Sequence, residues 1–231
     1  METLLDNTKT TSMNKPSMFL LFALAIVVAT PNVYAQFDQK MTERQMQKEA
    51  SRKAKYLSKA GWTIHDTQNS LEQAITLHYQ ALQDESVLEI VGVASSVMSK
   101  NVGKQAALNN ACNEYARQAT NHFKSQCNYH PFAIDDEYDR LEKTFDKYEL
   151  LVAKEIKNAL RPSFTIIRTK RKDNNGKAVF EMMTFYLVNE GEAMKVRKAA
   201  MMSVIEEGET LQQYSNTISK FAQERFEIEK P

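Results

Sequence analysis

Two strand-like runs that flank an Asn-Gly pair are the feature that most limits how this chain can fold. Residues 164–188 read FTIIRTKRKDNNGKAVFEMMTFYLV, with β-branched and aromatic residues on both sides of Asn175-Gly176. An Asn-Gly pair favours the type I′ turn of a two-residue hairpin, because its twist matches that of the flanking strands. The sequence therefore predicts a β-hairpin with positive φ at Gly176.

The same turn predicts how the two strands pair. Counting outward from a two-residue turn, Lys170 lies opposite Glu181 and Ile166 lies opposite Phe185. One pair has opposite charges and the other is apolar, so both would stabilise the hairpin in this register.

A further strand, and the helix that follows it, come earlier in the chain. The valine-rich run VLEIVGVASSV, residues 87–97, predicts a strand, and a helix is predicted over about 102–127. Small side chains on a helix let its axis approach a sheet closely, so we interpret Gly92 as relieving crowding between the two. The predicted inner face of the helix consists of Leu108, Ala111, Cys112, Tyr115, Ala119, His122 and Phe123.

The pair Gly103-Lys104, at the start of this helix, raises the alternative of a phosphate-binding loop. Such a loop needs Gly, four residues, Gly-Lys and then Ser or Thr. Met98 stands at the first glycine position and Gln105 at the hydroxyl position. The stretch is therefore interpreted as a strand that packs under a helix, with Lys104 exposed.

Capping residues and helical periodicity predict the other helices. Ser70 followed by Gln73 is a capping-box pattern, and Asn189 is a second candidate N-cap. An apolar stripe at spacings of three and four runs along 136–160. Pro162 is expected to end that helix.

Together these elements predict an α+β fold: a small antiparallel sheet with a hairpin, covered on one face by helices, with helical N- and C-terminal extensions. The predicted division of the chain is a signal peptide at 1–35, a helical extension at 36–86, an α+β core domain at 87–207 and a C-terminal helix at 208–231. The first extension is expected to pack loosely, because residues 36–60 are mostly polar.

The N-terminal segment has the pattern of a cleaved export signal. Lys15 precedes an apolar run at 18–29, and the sequence VYA at 33–35 fits a signal-peptidase site before Gln36. The run is too short for a comfortable transmembrane span, although a short membrane anchor is the alternative. The protein is therefore expected to be periplasmic or secreted, with no stable membrane span after cleavage.

Charge and cysteine content limit the classes of function. Lys plus Arg total 30 and Asp plus Glu total 29, which argues against a nucleic-acid partner. Cys112 and Cys127 lie about 22 Å apart on an unbroken helix, too far for a disulfide unless the helix ends near His122. We therefore expect two reduced cysteines, and no motif predicts a cofactor.

The run RTKRK at 168–172 is the basic cluster of the sequence. Arg168, Lys170 and Lys172 are expected to share one face of a hairpin strand. Together with Arg171 they form a candidate binding site for an anionic envelope ligand. The alternative is a solvated strand edge whose charges prevent aggregation.

Histidines and carboxylates supply an enzymatic alternative. A hydrolase-like site would require His65, Asp66, His122 or His130 to converge in the fold. Cys127 with His130 could be half of a metal site, but no second pair complements it. The sequence therefore predicts neither a metal nor a catalytic residue, and Gly-x-Ser-x-Gly is absent.

Three segments resemble a bacterial envelope family. They are the strand EIVGVASSV with the alanine-spaced helix AALNNACNEYARQA, the hairpin at 164–188, and the helix EGEAMKVRKAAMMSVIEE. Over residues 87–207 they resemble the Lpp-twenty-type surface and outer-membrane lipoproteins, although the lipid-attachment cysteine is missing. The resemblance implies an α+β envelope protein without an active site, since that family has no catalytic residues to carry over.

The leading hypothesis is a non-enzymatic exported protein that acts through protein–protein contacts. Its partner would be another envelope protein or a second copy of the chain. The anion-binding module and the hydrolase-like enzyme are the two alternatives.

We predict that the mature protein begins at or next to Gln36, because the apolar run is followed by VYA at 33–35. N-terminal sequencing of the protein from its native cells measures this directly. A mature start at Met1 or Met13 would contradict the predicted export.

Overall fold

The computed structural model describes residues 41–126, 136–172 and 176–207. Their helices are α1 Glu43–Lys59, α2 Leu71–Ala81, α3 Lys100–Gln126, α4 Asp136–Glu155 and α5 Glu190–Glu207. A short 3-10 helix, Ile156–Asn158, follows α4. Within these ranges, no helix has the length and apolar content that a bilayer span requires.

The strands are β1 Thr63–His65, β2 Val87–Val97, β3 Leu160–Lys172 and β4 Ala178–Asn189. They form one sheet in the order β1-β3-β4-β2, and all neighbours are antiparallel. The predicted α+β class is confirmed, and β2 has the predicted bounds. β1, a three-residue edge strand, was not predicted.

Helices cover both faces of the sheet, whereas the sequence predicted one covered face. The alternating side chains of β4 show why: Phe185 packs with α1 and α2, and Tyr186 packs with α3, α4 and α5. Successive residues of a strand point to opposite faces, so a strand with few polar residues needs cover on both. The α1–α2 layer also buries Leu57 and Ile75, so this predicted extension contributes to the core. The domain boundaries themselves stay a prediction.

The close approach of α3 to β2 depends on Gly92. A Cβ atom at this residue would lie 2.0 Å from the carbonyl oxygen of Ala107 and 3.1 Å from the Cβ of Ala111. Ala111 and Ala119 are 0% and 7% exposed, as predicted from the small-residue face. The interpretation of Gly92 as the point of close helix–strand contact is therefore confirmed.

The register of the hairpin differs from the prediction by two residues. Arg168, not Lys170, lies opposite Glu181, and Ile166 lies opposite Met183. One cause is an irregularity between Thr169 and Arg171, which inserts an unpaired residue into β3. At the pair nearest the turn, Lys172 and Ala178, the register already differs from the prediction by one residue.

Gly176 has φ +76°, which confirms its predicted left-handed conformation. The other half of the predicted turn, Asn175, lies outside the described residues.

The end of α4 was also predicted incorrectly. The helix ends at Glu155 and passes through the 3-10 turn, so Leu160 is the first residue of β3 and Pro162 lies within that strand. Two helix starts are confirmed: Ser70 and Gln73 form a capping box on α2, and Asn189 caps α5. The helix predicted at 208–231 lies outside the described residues.

A buried arginine joins α5 to α3. The guanidinium of Arg197 donates hydrogen bonds to the hydroxyl of Tyr115 and to the carboxylate of Glu190. Arg197 is 6% exposed, and a buried charge of this kind is tolerated only when it is paired and hydrogen bonded. The contact therefore stabilises the packing of these two helices.

We predict that Gly92→Ala destabilises the protein by about 1–3 kcal/mol, because the added methyl group would overlap the backbone of Ala107. Urea unfolding measures the change. The control is Ser95→Ala, at an exposed position of the same strand, which should change stability by less than about 0.5 kcal/mol. Equal destabilisation by the two substitutions would contradict the close contact.

Candidate functional site

β2 forms an outer edge of the sheet along its whole length of 11 residues. The N–H of Val87 donates to the carbonyl of Asp84 at 2.9 Å, and the N–H of Val93 donates to Oδ1 of Asn110 at 2.9 Å. Neither acceptor belongs to β4. Because backbone groups alternate in direction along a paired edge strand, the odd-numbered residues from Val87 to Val93, before the irregularity that follows Ala94, point their N–H and C=O groups away from the sheet.

Two residues between these capped positions leave their outward backbone groups open. Within the described part of the chain, the outward N–H and C=O groups of Glu89 and Val91 have no hydrogen-bond partner. Unpaired groups on an edge strand are a template on which another chain can add a strand. The edge continues toward Met98 and Val102, whose apolar side chains are 63% and 60% exposed.

The buried side chain of His78 contacts the middle of this edge strand from one face of the sheet. His78 on α2 has no exposed side-chain surface, and its Nε2 is hydrogen bonded to the carboxylate of Glu89. The ring meets Phe164 and Phe185 edge-on, with centroids 5.4 and 5.8 Å away. Its Nδ1 has no hydrogen-bond partner among the described residues. The pair attaches α2 to β2, with the His78 ring fully buried and about a third of the Glu89 side chain (32%) exposed.

The charges around Glu89 favour its ionised form. Burial raises the pKa of Glu89, but the hydrogen bond and charge of His78, together with the charge of Lys53, outweigh burial and lower the pKa overall. Burial is also the main reason that the pKa of Tyr79 is raised to about 12, with Glu89 and Glu49 adding to the effect. Glu89 is thus a carboxylate fixed at the edge of the sheet.

The basic hairpin is partly neutralised by its own strand partner. The side chains of Arg168 and Lys170 both bind Glu181, at 2.5 and 3.0 Å. Burial raises the pKa of Glu181, and the hydrogen bonds from the two cations then lower it overall. The side chains of Arg171 and Lys172 lie outside what the structure describes. Anion binding here stays a prediction, and two of its four cations already have a carboxylate partner.

The residues of the enzymatic alternative are not all brought together. His65 Nε2 lies 3.1 Å from Asp66, whose carboxylate also pairs with Lys104. Lys104 was predicted to be exposed, and its side chain is 44% exposed in this ion pair. Burial, followed by the charges of Lys100 and Lys104, lowers the pKa of His65. His122 lies 18 residues beyond Lys104 on α3, about 27 Å along the helix axis.

Metal-ligand clustering gives no further site in the described ranges. No group of three His, Cys, Asp or Glu side chains there could hold a metal ion. Cys112 is a buried free cysteine, and burial is the main cause of the raised pKa of its thiol. Cys127 and His130 lie in the segment that the structure does not describe.

Comparison with known proteins leaves the site to be interpreted from its own geometry. No protein-family model, curated protein or solved structure matches this chain.

The sequence contained a signal for the His78–Glu89 contact that was not used. His78 lies in the apolar stripe of α2, and Glu89 is the one charged residue in the run VLEIVGVASSV. Because buried polar groups are usually hydrogen bonded, a polar residue within an apolar helix stripe and another within an apolar strand are candidates to bind each other. The open edge could not be found this way, because strand order depends on the whole fold.

We predict that Glu89→Gln reduces the dependence of stability on acid pH. The folded-state pKa of Glu89 lies below its ordinary value of 4.5, so its carboxylate contributes stability that is present above that value and is lost as pH falls through the folded pKa. Urea unfolding between neutral and acid pH tests this. The variant should be less stable at neutral pH and lose less stability below about pH 4.5.

The control is Glu155→Gln, which makes the same change of side chain at an exposed position and should change stability at neutral pH by less than about 0.5 kcal/mol. A Glu89→Gln curve parallel to that of the wild type would mean that the carboxylate contributes nothing as an ion.

Proposed function

We propose that this chain is an exported, non-enzymatic envelope protein that acts through contacts with other proteins, and that β2 is its contact surface. Export rests on the apolar run at 18–29 and the VYA sequence at 33–35. The resemblance to envelope lipoproteins over residues 87–207 supports the same compartment. Because the lipid-attachment cysteine is missing, we propose that contacts with other proteins, rather than a lipid anchor, retain this protein in the envelope.

The observation that carries the proposal is the pair of open residues on the β2 edge. Glu89 and Val91 together present two N–H donors and two C=O acceptors on one line. In a β-strand, such groups bind an extended segment of another chain through main-chain hydrogen bonds. Met98 and Val102 add exposed apolar surface beyond the end of the strand.

Two features make this edge suitable for a specific partner. Glu89 is held in place by His78, so the open backbone is ordered before a partner arrives. Asp84 and Asn110 accept hydrogen bonds from the outward N–H groups of Val87 and Val93, which flank the open residues. Pairing with another strand is therefore limited to a short stretch. A long, uncapped edge would instead invite indiscriminate aggregation.

Photocrosslinking in the native cells tests the proposal. With a photoreactive residue at Ser95, an exposed position on β2, we expect a covalent adduct with a second polypeptide. Val91→Pro in the same chain should abolish the adduct. Proline removes the outward N–H of residue 91 and keeps the hydrogen bonds between β2 and β4, because those belong to the even-numbered residues.

The matched control position is Leu150, which is 70% exposed and lies on α4, a helix that packs against α3 and α5. Adducts of equal yield at the two positions, or an adduct at Ser95 that survives Val91→Pro in a folded protein, would contradict a contact through β2. Recovery of the protein from the cytoplasm alone would contradict export.

A further inference from the structure

We propose that the occupant of the β2 edge is the same edge of a second copy of this chain, paired antiparallel about a two-fold axis that passes beside Ile90. This inference rests on the proposed function and names the partner at that surface. It follows from the arrangement of open and closed backbone groups along β2.

The open groups are complementary to themselves. In an antiparallel pair centred on Ile90, Glu89 of one copy lies opposite Val91 of the second copy, and Val91 lies opposite Glu89. Residues directly opposite in this way exchange N–H···O=C bonds in both directions. Four hydrogen bonds then satisfy every open outward group of Glu89 and Val91 in both copies, as a two-fold contact requires.

The neighbouring registers are less favourable. A shift of two residues in one direction places Glu89 directly opposite Glu89 of the second copy, and like charges in that position destabilise a strand pair. A shift in the other direction places Glu89 opposite Val93, whose N–H is already bound by Asn110. The register centred on Ile90 avoids both conflicts.

The capped positions also set the strength of the contact. Val87 and Val93 lie opposite each other in this register, and the N–H of each is already used within its own copy. Pairing therefore involves two residues from each copy. Such a short strand pair predicts a reversible dimer that forms as the protein concentration rises.

Sedimentation analysis of the mature protein over a concentration series measures the association. The wild type should change from monomer to dimer, whereas Val91→Pro should remain a monomer at every concentration, with circular dichroism showing that it is folded. Asn110→Ala, which frees the N–H of Val93 without closing Glu89 or Val91, should still form a dimer.

Amide hydrogen exchange of the wild type provides a test that does not depend on any variant folding. The amides of Glu89 and Val91 should exchange more slowly at high protein concentration than at low concentration. The amide of Ile90, which faces β4, should be protected at both.

Three results would overturn the inference. They are a monomer at all concentrations with unchanged exchange at Glu89 and Val91, a dimer that persists in folded Val91→Pro, and protection of these two amides only when a different envelope protein is added. The last result would leave the proposed function intact, because β2 would still be a protein-binding edge. A dimer in solution without crosslinks at Ser95 in cells would instead remove the proposed function.

Discussion

The contact between Gly92 of β2 and the backbone of Ala107 on α3 is the constraint on which the rest of the structure depends. With no side chain between them, the helix lies directly on the strand, and Ala111 fills the space beside the contact. This position of α3 lets its large side chains, such as Phe123, meet α4 in the same core. A larger residue at the contact would move the helix and open the layer formed by α3, α4 and α5.

β2 is packed on both faces of the sheet, whereas part of its outer edge is exposed. One face is closed by α3, and the opposite face by α2, through His78 and Glu89. Among the described residues, the outward backbone groups of Glu89 and Val91 stay open on the outer edge, between neighbours whose N–H groups are bound. Both faces thus make the strand rigid, and its remaining binding capacity lies in the main chain. This separation is why the proposed contact needs no pocket and no unusual side-chain chemistry.

The sequence predicted correctly those features that depend on residues close together in the chain. β2 has its predicted bounds because an apolar run ends at turn-forming residues, and the capping box of Ser70 and Gln73 forms within one turn of helix. The close approach at Gly92 could also be predicted, since it follows from a glycine opposite a small-residue helix face.

The features that the sequence did not predict depend on contacts between residues that are far apart in the chain. β1 has three residues and exists because it pairs with β3. The predicted hairpin register was wrong in part because of the irregularity between Thr169 and Arg171, which no turn rule predicts. Beside it, both Arg168 and Lys170 bind Glu181. The candidate site was missed for the same reason: an edge is defined by the strand order of the complete sheet, and Glu89 alone does not reveal it.

The pairing of β1 with β3 has a consequence for how the chain acquires its structure. The side-chain hydroxyl of Thr63 donates to the carbonyl of Ile167, which follows it by 104 residues. Because synthesis proceeds from the N-terminus, the apolar sides of α1 and α2 are made long before Phe164 and Phe185, which cover them in the folded protein. During that interval α1 and α2 can pack against each other but not against the sheet, and contacts of such high sequence separation form slowly. The order in which the strands occur therefore makes this half of the core depend on contacts that can form only after the residues of β3 and β4 are present.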